Sequence, residues 1–192
     1  MKIGLDFYGV IANHLAEKAA YATRALGVEI TEQEATRERM IARLGADGYA
    51  TFAKSFSARP LASRLEASLY SGVRENLVAL HADGVRFTVV SMRSTMALEA
   101  FVRAYVYDRH HLPIEEVIVV TSDEAKVDAC RRSEVAVFFD DNRTVLERLV
   151  PLGITLVWAN FYRIPDAGEQ RFSIAHSWDE FAAIVRMLRM GH

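Results

Sequence analysis

The sequence predicts an α/β fold: a parallel sheet with helices on both faces and a small all-helical insertion after the first strand. Three observations carry this. Short β-rich apolar runs alternate with helical patterns over most of the chain, as in sheets built from strand–helix–strand units. Each run is too short for a helix and rich in Val, Ile and Phe, so it reads as a strand buried on both faces. Residues 14–70 break the alternation with helical signals alone.

The predicted strands are Lys2–Leu5, Val85–Val90, Val117–Val120, Val135–Phe139 and Ile154–Trp158. Between them, Val73–Ala82 puts Val73, Leu77 and Leu80 on one helical face, and Gly84 follows as a stop. Ala97–Tyr107 does the same with Leu98, Phe101, Val102 and Tyr105. Thr144–Leu149 is a short helix ending before Pro151, and Ser177 with Glu180 opens a last helix through Met190 as a capping box. Within 14–70 the pattern gives a helix His14–Leu26 stopped by Gly27. A second helix, Thr31–Leu44, is opened by Thr31 and Glu34 and stopped by Gly45. Tyr49–Phe56 and a helix begun by Pro60 complete the stretch. The expected organisation is a core of 1–13 and 71–192 and a helical cap of 14–70. An insertion at the C-terminal tip of the first strand sits above the place where open α/β sheets bind ligands, so a lid is its natural reading.

The chain has 192 residues, 51% hydrophobic and 25% charged, which suits an ordinary globular domain. Its net charge of −2 supplies no bulk positive field for nucleic acid or an anionic membrane, so neither partner is expected. The single cysteine, Cys130, cannot form an internal disulfide. Asp6 interrupts the N-terminal apolar run, so the start does not read as a signal peptide, and a cytoplasmic location is expected. Oligomeric state is not readable from the sequence.

Parallel sheets converge their functional groups at the strand tips. The first strand ends in Asp6 and the second in Ser91. The third ends in Thr121-Ser122-Asp123, with Lys126 just beyond, and the fourth in Asp140-Asp141-Asn142. Carboxylates gathered round one point repel unless a cation sits among them, and oxygen-only ligands select a hard ion such as Mg²⁺. A serine and a lysine beside that cation suit a phosphate dianion.

The order Asp-x-x-Gly-Val, Ser after an apolar strand, Lys, then Asp-Asp after another strand resembles the haloacid dehalogenase-like (HAD) superfamily. The resemblance runs from Ile3 to about Trp158. The runs IGLDFYGVIANH and VFFDDNRTVLERL look closest to its capped 5′-nucleotidase- and phosphatase-like branches. It implies a Rossmann-like core and an Mg²⁺-dependent hydrolase acting on a small phosphorylated substrate, with a nucleotide as one candidate. It further implies Asp6 as the nucleophile that accepts the phosphoryl group. The Asp6 side chain, the Tyr8 backbone carbonyl, Asp141 and Asp140 would bind the metal, with Asp141 the better direct ligand. Ser91 and Lys126 would hold the phosphoryl group, and Met92 and Arg93 lie beside it for substrate contact.

Tyr8 departs from that pattern. Phosphatases of this kind carry a second Asp two residues after the first, which protonates the leaving oxygen and then activates water. A phenol with pKa near ~10 could donate a proton at neutral pH but is a poor base. General acid–base help is worth roughly 10²–10⁴-fold. Two alternatives stay open. The 2-haloacid dehalogenases carry Tyr here and act without metal on a leaving group that needs no proton, with an arginine early in the cap. Arg37, Arg39 and Arg43 are available for that arginine, and the Asp140-Asp141 pair argues against the reading. A catalytically weak phosphate-binding module is the third.

Other polar and aromatic positions read more plainly. His110 and His111 look like a solvated helix end, and Cys130 like a small buried residue. His14 near the cap boundary is a substrate-contact candidate. Asn160, Phe161 and Tyr162 read as a loop packed on the domain rather than as the edge of a site.

Overall fold

A computed structural model of the chain describes residues 1–58, 67–92, 97–165 and 171–191. It forms two compact units, Met1–Ala12 with Leu69–His192, and Asn13–Ser68.

The first unit is built on a six-stranded sheet in which every pairing is parallel. Its strands are β1 (Lys2–Leu5), β4 (Arg86–Met92), β5 (Glu116–Val120), β6 (Val137–Asp140), β7 (Thr155–Ala159) and β8 (Ser173–Ala175). Their order is β5-β4-β1-β6-β7-β8. The chain winds one way from β1 through β4 to β5 and the other way through β6 to β8, so the order reverses at β1. In open α/β sheets that reversal leaves a crevice at the strand's C-terminal end. The helices of this unit are α3 (Val73–Ala82), α4 (Ala97–Arg103), α5 (Asp123–Arg132), α6 (Arg143–Leu149) and α7 (Trp178–Met190).

Side-chain alternation along the strands sends neighbours to opposite faces. On β6, Phe139 stacks on Phe181 of α7, with ring centroids 4.0 Å apart, and meets Trp178 edge-on at 5.6 Å. Phe138 joins the opposite core with Val90, Cys130, Val135, Leu146 and Trp158. Gly4 of β1 lies under that ring. A Cβ there would overlap Phe138 and stand 3.1 Å from Val135 Cγ1.

The second unit carries α1 (Leu15–Leu26) and α2 (Arg37–Ser57). Tyr21, Phe52 and Phe56 pack their rings within about 6 Å of one another. The buried Lys18 lays its ammonium over the Tyr49 ring at 5.1 Å. Two-residue strands, β2 (Ala12–Asn13) and β3 (Ser68–Leu69), pair where the chain passes between units.

Several elements differ from the sequence reading. Thr31 and Glu34 make the bonds of a capping box, with Glu34 Oε2 accepting from Thr31 N at 2.9 Å, but turns follow and the helix starts only at Arg37. Gly45 does act as the expected stop: its backbone (φ 73°, ψ 167°) is not helical, and it separates two helical stretches within Arg37–Ser57. The 14–70 stretch is therefore not helical throughout, and Ser68–Leu69 ends it as a strand. The helix expected from Pro60 lies outside the described residues. The α4 helix widens into a π-turn, Ala104–Arg109, that brings Tyr105 edge-on to Phe7 at 5.1 Å. Strand β8 was not anticipated.

Replacing Gly4 with alanine should cost about 1–3 kcal/mol through overpacking against Phe138. Urea unfolding of Gly4→Ala beside the parent measures this. An unchanged midpoint would mean that the ring shifts freely and Gly4 imposes no constraint.

Candidate active site

Asp6 follows the last residue of β1, where the neighbouring strands still hold the chain: its N–H donates to the Phe139 carbonyl at 3.0 Å. Ser91 is fully buried on β4, Asp140 closes β6, and Lys126 rises from the first turns of α5. That helix is capped by Ser122, whose hydroxyl accepts from Ala125 N at 3.1 Å. Three strands and one helix thus aim four side chains at one point beyond β1.

The contacts there are direct. Lys126 Nζ donates to Asp6 Oδ1 at 2.9 Å and to Asp140 Oδ2 at 2.7 Å. Ser91 Oγ donates to the same Asp6 Oδ1 at 3.2 Å. The lysine side chain is 2% exposed. Burial alone would strip its proton, but the carboxylates of Asp140 and Asp6 overcome that and hold its pKa above the ordinary lysine value. Burial pushes the Asp140 carboxyl up, while Lys126 and the Asn142 N–H, at 2.8 Å from Oδ1, pull against it.

Asp141 enters through a backbone device. Gly9 has φ +82°, in the left-handed region, and its Cα faces the Asp141 carboxylate so closely that any Cβ would collide with it. The turn containing Gly9 is tight: Ile11 and Ala12 N–H both donate to the Phe7 carbonyl at 2.9 Å. One ligand oxygen each from Asp6, Asp140 and Asp141 can lie within 4.8 Å of the others. All are hard oxygen donors. With Lys126, the three carboxylates leave two negative charges in excess, the charge of one divalent ion. The donor set therefore fits Mg²⁺ in both chemistry and charge. Asp140 spends Oδ1 on Asn142 and Oδ2 on Lys126, which suits it to orienting the lysine.

The remaining positions fall elsewhere. Tyr8 is half-buried with its ring 4.9 Å from Phe7. Burial raises the Tyr105 phenol above its usual range, Arg109 opposes this, and Tyr8 adds to it, so the two phenols feel each other. Met92 packs against the Phe138 core. Arg93 lies outside the described residues. Arg37, Arg39 and Arg43 are exposed on the second unit, where Arg43 approaches Glu34 at 3.9 Å. His14 is the residue before α1 in that unit. His110 does close the π-turn, but it is partly buried rather than solvated: burial, Arg109 and Arg74 lower its pKa, and its ring packs 4.4 Å from Tyr105. Burial pushes the Cys130 thiol up to about 12, as an inert core residue requires. The buried Asn160 clamps its own loop, accepting from Ile164 N at 2.7 Å and donating to the Ile164 carbonyl at 2.8 Å. The sequence reading did not see what Asn142 and Gly9 do to the acidic pair. The glycine after Asp6 was the only available signal.

No protein-family model matches this sequence, and no curated protein does. Solved structures match it along nearly its whole length. A predicted phosphoglycolate phosphatase from Haemophilus somnus 129PT aligns over 97% of this chain and 96% of its own, at 18% identity and TM-score 0.63. A HAD-superfamily hydrolase of subfamily IA from Geobacter sulfurreducens PCA aligns over 96% and 95%, at 16% identity and TM-score 0.58. A 2-haloacid dehalogenase from Pseudomonas syringae pv. tomato DC3000 aligns over 97% and 98%, at 13% identity and TM-score 0.58. At such identities the likeness establishes the architecture, and the chain has the fold of the HAD-like hydrolases.

Lys126→Met leaves two buried carboxylates without their cation. Breaking such a pair costs roughly 3–5 kcal/mol at neutral pH. The variant's Asp140 would hold a folded-state pKa above its unfolded value. Protonation then favours the folded variant, and the loss relative to the parent should shrink as pH falls from 8 to 5. Urea unfolding of both proteins at the two pH values measures this. A loss that stayed constant or grew toward pH 5 would contradict the electrostatic account.

Proposed function

We propose that the chain is an Mg²⁺-dependent phosphohydrolase acting on a small phosphorylated metabolite, with 14–70 as its cap. The observation that carries this is the buried Lys126 ammonium bridging Asp6 and Asp140 beside Ser91, with an Asp141 oxygen within 4.8 Å of both acids. Phosphoryl transfer asks chiefly for alignment and for neutralised oxygens, and this arrangement offers both.

Asp6 is the nucleophile. Lys126 and Ser91 both bind Oδ1, which orients the carboxylate and leaves Oδ2 to attack phosphorus. The bond to the leaving oxygen breaks and an aspartyl-phosphate forms. Water then attacks phosphorus, its protons staying with the phosphate released or passing to solvent, and Asp6 departs as carboxylate. Lys126 and Ser91 also hold the phosphoryl oxygens through both steps. Asp6, Asp141, Asp140 and the Tyr8 carbonyl would hold Mg²⁺, which supplies charge neutralisation at the phosphoryl group. Asp140 keeps Lys126 charged and in place.

Tyr8 sets the leaving-group preference. Substrates whose leaving group departs without a proton, such as acyl and aryl phosphates, avoid its weakness as an acid–base group. Tyr8 also favours a second reading, a metal-free 2-haloacid dehalogenase, in which halide leaves unprotonated. The acidic trio weighs against it, since dehalogenation has no use for a divalent cation there.

Phosphate release from p-nitrophenyl phosphate should require Mg²⁺, stop with EDTA, and fall roughly 10³-fold or more in Asp6→Asn. Halide release from 2-haloacids that EDTA leaves intact, with no phosphate release, would select the dehalogenase reading.

Tyr8→Asp should speed phosphoryl transfer to Asp6 from alkyl phosphates by roughly 10²–10⁴-fold and leave that step nearly unchanged for acetyl phosphate. Single-turnover release of the leaving group across a leaving-group series tests this. Equal gains in that step on both substrate classes would remove Tyr8 from the acid–base position.

A further inference from the structure

We infer that Trp158 is a positioning residue for the metal-side carboxylate: its indole N–H pins the peptide unit that aims Asp141. The inference rests on the metal reading above and adds a residue to it.

Trp158 lies on β7, in register with Asp140 of β6, and is 2% exposed. A buried indole N–H needs an acceptor. Here the acceptor is the backbone carbonyl of Asp141, at 3.0 Å. That carbonyl belongs to the same planar peptide unit as the Asn142 N–H, which donates to Asp140 Oδ1 at 2.8 Å. One peptide plane is therefore held at both ends, by Trp158 on its oxygen and by Asp140 on its nitrogen. Fixing that plane fixes ψ of Asp141, and with it the direction in which the carboxylate leaves the backbone. The carboxylate then lies against the bare Cα of Gly9, opposite Asp6. The indole itself is held: the Arg143 guanidinium sits over its ring, 5.3 Å from the centroid. Asn142 completes the turn by accepting from Thr144 N at 3.1 Å. Trp158 acts through the Asp141 backbone, and such outer partners commonly govern metal affinity by 10–100-fold.

A residue that served only the core would change stability and leave Mg²⁺ affinity alone. Calorimetric titration of the full chain with Mg²⁺, with no substrate present, separates the two roles. Trp158→Phe keeps an aromatic ring and loses the N–H. It should weaken Mg²⁺ binding about ten-fold or more. Phe181→Leu, a core change on the opposite sheet face, should lower Tm and keep the parent affinity. If Trp158→Phe unfolds, benzothienylalanine at 158 replaces the N–H with sulfur at nearly constant shape and should show the same weakening. Parent-like affinity in either folded variant, with Asp141→Asn losing binding, would overturn the inference and leave the metal reading intact. If the parent itself binds no Mg²⁺, the metal reading falls and this inference with it.

Discussion

The buried ammonium of Lys126 is the interaction on which the rest of the site depends. Asp6 and Asp140 stand on adjacent strands, and without a cation between them each would raise the cost of ionising the other. Lys126 meets both at hydrogen-bond distance from a helix on one face of the sheet. Its burial is costly in isolation, and the two carboxylates and their short bonds offset that cost. The oxygens that face Lys126, Oδ1 of Asp6 and Oδ2 of Asp140, hold it in place.

That bridge exists because of sheet order. Placing β1 between β4 and β6 brings Ser91, Asp6 and Asp140 to one edge in neighbouring strands. Two glycines then remove obstacles. Gly4 gives Phe138 its place beneath β1, which fixes the register of β6 against β1 at the level of Asp140. Gly9 lets the chain turn back after Asp6 and leaves room for the Asp141 carboxylate. A core constraint and a site constraint therefore sit five residues apart on the same segment.

Much of this was legible in the sequence, for identifiable reasons. The strands carrying Asp6, Ser91 and Asp140 are dense in Val, Ile and Phe, so their ends, and the polar residues there, could be placed closely. Strand β8 escaped because Ser173-Ile174-Ala175 is short and half-polar, as an edge strand can be. The π-turn at Ala104–Arg109 escaped because apolar spacing does not distinguish a widened turn from an ordinary one. Thr31 and Glu34 made their predicted bonds without starting a helix, since a capping box satisfies local donors whether or not a helix follows. In the site, residue types were readable and peptide orientation was not. The pinning of the Asp141–Asn142 unit joins residues from two strands, and only the folded register brings Trp158 to that carbonyl.

Tyr8 shows how far such a site can change without losing its frame. The phenol lies against Phe7, within electrostatic reach of Tyr105 on the π-turn, and belongs to an aromatic group with Phe7, Phe101 and Tyr105. A phenol at this position adds no negative charge to a region already holding three carboxylates. The bridge through Lys126, the Ser91 bond and the Asp141 geometry involve other atoms and do not need that charge. Alignment and neutralisation are thus structurally separable from proton transfer.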